Sequence, residues 1–184
     1  VNISASIIND KNKKPIATQC IVRDITKQRE KQLVLDLVSN TAKSVLGKED
    51  IGEIAWEISS NIANYLNTND CVIYLANHEN KTLEQIAAYG EKKGKQNTVL
   101  NKIFLPFGKG IVGNVAQKGV SEIIKDTSID DRYVVDEEKR NSEITVPIIS
   151  EGKVIGIIDA EHRDKNYFTR HLMRYFILLG LLFI

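Results

Sequence analysis

Apolar and polar positions alternate twice at the start of the chain, in "VNISASII" (1–8) and "PIATQCIVRDI" (15–25), with the polar stretch "NDKNKKP" (9–15) linking them. A period of two puts successive side chains on opposite faces of a strand, so residues 1–25 are expected to form a β-hairpin. A hairpin is marginal on its own in water, which implies a larger sheet upstream. From Thr26 the period changes with no intervening Gly or Pro. Leu35, Val38, Ala42 and Val45 are spaced three, four and three apart. That spacing predicts a helix over 26–46 with a seam for a partner helix, and it also fits a helix packed on its own domain. A second helix follows in "KEDIGEIAWEISSNIANYLNTND" (48–70), where Ile51, Ile54, Ala55, Ile58, Ile62, Tyr65 and Leu66 share one face. Asp50 and Glu53 have the spacing of a capping box at its start.

Strands dominate afterwards. "CVIYLAN" (71–77) and "TLEQIAAYG" (82–90) flank the polar "HENK", and "KIFLPFGKG" (102–110) ends in glycines. "GIVGNVAQKG" (110–119) reads as a short glycine-bounded helix and "SEIIKD" (121–126) as a strand. A long polar excursion (127–141) leads into "SEITVPIISEGKVIGIIDAEH" (142–162), a hairpin turning at "SEG". The order predicts an α+β fold, an antiparallel sheet of about six strands with helices on its faces.

Composition adds little to this picture. With 42% apolar and 27% charged residues and a net charge of +1, the chain can build a core and has no electrostatic bias toward nucleic acid. The charge runs "EKKGK" (91–95) and "DEEKR" (136–140) read as solvated loops. Two cysteines without metal or disulfide spacing fit a reducing, cytoplasmic setting.

Residues 46–171 resemble a GAF domain. The likeness is carried by "CVIYLANHENKTLEQIAAYG", "GKGIVGNVAQKGVSEIIKDTSIDDRYV" and "SEITVPIISEGKVIGIIDAEH". Residues 1–30 resemble the last hairpin of a PAS domain with its exit signature "VRDITKQRE", in which Asp24 and Thr26, the latter as N-cap, hold the passage from strand to helix. The resemblance implies a PAS-end hairpin at 1–25, a linker helix at 26–46, a GAF domain at 47–171 and an apolar tail at 172–184, truncated or atypical and an association liability. It further implies a sensory, small-ligand-binding or signal-relay module of a bacterial signalling protein such as a two-component sensor histidine kinase. In that setting the module is not an enzyme itself and dimerises through Leu35, Val38, Ala42 and Val45. The alternative is a small GAF-type enzyme such as a free methionine sulfoxide reductase.

Candidate chemistry is sparse. The glycines at 108–119 lack the order of a phosphate loop and suit a tight turn and close helix–sheet contact. His78, His162 and His171 have no metal-ligand spacing. Cys71 reads as a packed thiol, and neither bilin attachment nor heme is expected. "NKIF" (101–104) and "DE" (136–137) contain letters of a cyclic-nucleotide pattern in the wrong places. No metal, no nucleic-acid partner and no membrane span is expected, and any cofactor is unknown. Strand alternation directs Glu143 and Thr145 away from Ile144, Val146 and Ile148. They face an expected small-molecule pocket on the sheet face opposite the long helices, with Ile111 and Val112 as apolar wall and Asp126 and Tyr133 as polar contacts.

Overall fold

The structure, a computed structural model, describes residues 1–136 and 138–184, without the side chains of Glu30 and Leu33. Glu137, half of the "DE" pair, therefore lies outside the described residues. The chain divides into two compact units, Val1–Asp36 and Leu37–Ile184.

In the first unit β1 (Asn2–Asn9) and β2 (Pro15–Arg23) pair antiparallel, with Ile3 opposite Val22 and Ala5 opposite Cys20. The Asp10 carboxylate closes the turn by accepting from the N–H groups of Asn12 and Lys14. Helix α1 (Thr26–Val45) starts three residues after β2. Its cap differs from expectation. Thr26 is the first helical residue, and Asp24 is the acceptor, taking both the Thr26 N–H (2.9 Å) and hydroxyl (2.6 Å). Those two bonds stabilise the ionised form and lower the Asp24 pKa.

The second unit is built on a six-stranded antiparallel sheet of order β5-β4-β3-β8-β7-β6. The strands are β3 (Asp70–Asn77), β4 (Thr82–Tyr89), β5 (Phe104–Pro106), β6 (Glu122–Ile124), β7 (Ser142–Ser150) and β8 (Lys153–His162). Helix α2 (Ile51–Leu66) lies on β3 and β4, and α4 (Arg170–Gly180) on β7. Asp50 caps α2 by accepting the Glu53 N–H, and Ala55, Ile58, Ile62 and Leu66 are buried at helical spacing. Trp56, Ser59 and Ala63 widen that buried stripe, while Ile51 and Tyr65 of the expected face are exposed. The β7–β8 turn holds Glu151 and Gly152 at φ 49° and 76°, the left-handed pair that a two-residue hairpin loop requires. On the other face α3 (Gly110–Lys118) sits close to β5, because a Cβ on Gly113 would meet the Pro106 carbonyl at 2.4 Å.

Along α1 the stripe facing this core is Leu37, Thr41 and Val45, spaced four apart, with Leu37 and Thr41 fully buried. Of the expected seam, Leu35 is 63% exposed and Ala42 half-buried, whereas Val38 and Val45 pack against the domain's own core.

The C-terminal run departs most from expectation. Rather than an atypical tail that invites association, it forms α4 and a closing 3-10 turn (Leu181–Phe183) whose inner face completes the core. Thr169 caps α4, Phe176 and Leu179 are fully buried, and Phe168 packs edge-on against Phe176. The outer face of α4 carries the exposed Arg170 and Arg174 together with Ile177 and Leu178, and the inner face belongs to the core. Phe176→Ala is expected to cost about 3–5 kcal/mol, read as a lower denaturation midpoint in urea. Truncation after Arg170 is expected to abolish cooperative unfolding, where an unneeded tail would leave the midpoint unchanged.

Candidate functional site

The sheet register assembles an acidic floor from three distant segments. Glu143 on β7 stands opposite Glu161 on β8, and Glu161 stands opposite Asp70 on β3. In the next row Thr145 faces Asp159, which faces Val72. These side chains share the face covered by α3, away from Ile144, Val146 and Ile148. Above them lies a cavity of about 50 Å³. Its wall includes Asp70, Asp136, Glu138, Glu143, Asp159 and Glu161 against a single lining lysine, Lys92, with Ile111 and Val112 at the start of α3 supplying apolar surface.

Proton positions follow from hydrogen-bond counting. The Thr145 hydroxyl lies 2.6 Å from the Asp159 carboxyl and 3.0 Å from that of Glu143. It has one proton to give. It donates across the shorter contact to Asp159, and the Glu143 carboxyl, which holds its proton, also donates to Asp159. Burial accordingly raises Glu143 far above the usual carboxylate range, with the charge of Asp159 adding to it. Asp159 is raised by burial to about 7, against the opposing hydrogen bonds from Thr145 and Glu143. Glu161 is also raised well above its ordinary value by burial, then by the neighbouring Asp159 and Asp70 charges.

A strap from Asp130 to Asn141, without helix or strand among its described residues, crosses over this floor. Four anchors hold it. The Arg132 guanidinium grips both oxygens of Glu122 and both of Asp130, at 2.8–3.1 Å. The Tyr133 hydroxyl accepts the Arg140 N–H at 3.0 Å and donates to Glu161. Asp136 pairs with Lys92 at 2.6 Å. Arg140 binds Asp70 at 2.8 Å and also pairs with Glu138. Asp70 remains raised, because burial outweighs the attraction of Arg140.

Of the expected site residues, Ile111, Val112 and Glu143 line the cavity. Thr145 bridges two of the floor carboxyls and Tyr133 reaches the floor through Glu161. Asp126 is drawn elsewhere. It caps the 127–129 turn and pairs with Lys165 at 2.7 Å, which together bring its carboxyl down to about 2. The charge runs read as solvated loops supply two buried anchors, Lys92 at 3% and Arg140 at 7% exposure. Cys71 is buried on the opposite face of β3 from Val72, and burial raises its thiol. His162 ends β8, an inner strand, where its ring stacks on Tyr167 at 3.6 Å and Nδ1 accepts the Asp164 N–H. Among the described residues no three His, Cys, Asp or Glu side chains stand at metal-holding geometry.

A six-stranded antiparallel sheet with helices on both faces and a strapped, acid-floored cavity defines a small α+β domain. The chain belongs to the GAF domain family, whose model matches residues 48–182 and so runs into α4. Protein YtsP of Bacillus subtilis is 33% identical over 64 residues, 35% of this chain and 39% of YtsP. Free methionine-R-sulfoxide reductase of Saccharomyces cerevisiae is 35% identical over 65 residues, 35% of this chain and 36% of the reductase. The chain thus spans less than two fifths of these curated relatives. Among solved structures, the free methionine-R-sulfoxide reductase of Neisseria meningitidis in complex with its substrate superposes with a TM-score of 0.71 at 18% identity, over 89% of this chain and 90% of that one. The GAF domain of an Acinetobacter phosphoenolpyruvate-protein phosphotransferase does so with 0.68 at 19%, over 81% and 91%. Similarities at this identity concern the fold. The expectation that the chain stands apart from enzymes is overturned, since free methionine-R-sulfoxide reductases are among its relatives in both sequence and structure.

The floor carboxyls bind protons more tightly folded than unfolded. Between the ordinary aspartate value of 3.8 and about 7 the folded chain therefore holds more protons, and their contribution to stability falls as pH rises through that window. Asp159→Asn is expected to flatten this slope and raise the melting temperature at pH 8, by about 2–4 °C for each kcal/mol regained in a domain of this size. Calorimetric melting at pH 5 and pH 8 reads the effect, and parallel curves for variant and wild type would refute it.

Proposed function

We propose that the chain is the sensory section of a bacterial signalling protein and that its GAF domain binds a small polar molecule beneath the strap. The observation that carries this reading is the cavity wall, six carboxyl-bearing residues against one lysine. Buried carboxyls weaken a domain unless they are fully compensated, and apolar side chains of similar volume would serve stability better. An acid floor with raised carboxyls in a concave site suits recognition of a ligand rich in donors. The exit sequence "VRDITKQRE" and the Asp24–Thr26 joint support a PAS domain upstream and a histidine kinase as the output, working in the cytoplasm as a homodimer through α1. No helix among the described residues is long and apolar enough to cross a membrane.

A second reading, reduction of free methionine sulfoxide, is favoured by the yeast relative and by the raised Glu143 carboxyl on the cavity wall. A sulfoxide oxygen must be protonated as a thiol attacks its sulfur, and Glu143 holds a proton at the cavity wall. Cys71 faces away from the cavity, so in this reading the thiol comes from a reductant outside the pocket.

Calorimetric titration with a panel of free amino acids, free methionine-R-sulfoxide included, tests the pocket. At least one is expected to bind, and Asp159→Asn and Glu161→Gln each to weaken it about tenfold without loss of fold. A flat response across the panel would remove the small-molecule reading. Turnover of free methionine-R-sulfoxide with dithiothreitol would favour the second reading over the first. For the dimer, Leu35→Glu alone is expected to convert it to monomer by sedimentation, because Leu35 is exposed whereas Val38 serves the core.

A further inference from the structure

Lys92 sits in a cradle shaped for an ammonium. Its three N–H protons meet three acceptors, Asp136 Oδ2 at 2.6 Å, Gln85 Oε1 at 2.9 Å and the Asn101 carbonyl at 3.0 Å. Gln85 supports the cradle independently of Lys92. Gln85 is fully buried on β4, its amide nitrogen donates to Asp136 and Tyr74, and its carbonyl also accepts the Ile103 N–H. With the nitrogen committed on one side, the amide oxygen can only face the ammonium. Lys92 itself enters from the segment between β4 and β5, on a flexible four-carbon stem. A cavity of about 50 Å³ holds no more than a water or two, so a ligand cannot enter while Lys92 and the strap keep this arrangement.

We propose that the cradle of Gln85, Asp136 and the Asn101 carbonyl is an ammonium subsite of the pocket, filled by Lys92 until a primary amine of the ligand displaces it. The proposal deepens the small-molecule reading and rests on it for the identity of the guest. Exchange of one ammonium for another leaves the charge facing Asp136 unchanged and breaks the Lys92 tie between the β4–β5 segment and the strap. The ligand class is a small molecule with an unhindered primary amine, an amino acid or a linear amine. A quaternary ammonium, with no N–H to give, is excluded.

The test empties the cradle in the full chain. Lys92→Ala is expected to lower the melting temperature, and n-propylammonium chloride to restore it while tetramethylammonium chloride at the same ionic strength does not. Wild type is expected to respond to neither. Lys92→Met, which matches the stem out to Cε, serves with ammonium chloride if the Ala variant does not fold. Equal shifts with both cations, or in wild type and variant alike, would overturn the subsite. Titration with free L-methionine and N-acetyl-L-methionine separates this inference from the pocket reading. The free amine is expected to bind the Lys92 variant about tenfold more tightly than wild type, and the acetylated form to show no such gain. Equal binding to both proteins without cation rescue would sink the cradle and leave the pocket reading standing. Rescue without binding of any amine would do the reverse.

Discussion

The interior of this domain is organised around a surplus of buried negative charge. Three carboxyls on neighbouring rows of β7 and β8 cannot all be ionised beside Asp70 in so small a cavity, because each buried charge would have to be compensated several-fold more strongly than in solvent. The chain answers with protons, two hydroxyls and a cation. Glu143 keeps its proton, Thr145 bridges it to Asp159, Tyr133 donates to Glu161, and Arg140 spans from Asp70 to the strap. The strap's path is set by these needs, since four of its side chains end on carboxylates or on the lysine beside them.

The fold was legible in the sequence wherever periodicity is set by burial on one side. The alternation in 71–77 and 142–162 and the three-four spacing of α2 depend only on which face meets the core. Glu143 and Thr145 could be assigned to the cavity side because neighbours of alternate parity are Ile and Val. Asp70, Asp159 and Glu161 could not be joined to them from sequence, as that juxtaposition is made by strand register over about ninety residues of chain. Lys92 and Arg140 were hidden in charge runs whose bulk is exposed, and one buried member in such a run leaves no compositional trace. The closing helix departs from its sequence expectation for a different reason. Arg170 and Arg174 mark its outer face and Leu172, Phe176 and Leu179 recur at four- and three-residue spacing on the inner one, but the uncharged run from Tyr175 to Ile184 hides that pattern.

The relatives show how one scaffold serves different ends. The fold is shared with proteins named as reductases of free methionine-R-sulfoxide and with a GAF domain of a phosphotransferase. The scaffold contributes a floor whose chemistry is fixed by inward residues on β7 and β8. The cavity above it is bounded by irregular segments that lie outside the regular ladder.

The hydrogen-bond arithmetic around Thr145 has a calorimetric consequence. A cationic guest whose donors reached Asp159 would lower the pKa values of the floor carboxyls, and a proton they hold would then pass to the buffer. The measured heat of association would include the buffer's ionisation enthalpy, so it would differ between phosphate and Tris at equal pH. The same exchange makes the occupied domain a source of protons, and its affinity would rise as the medium becomes more alkaline.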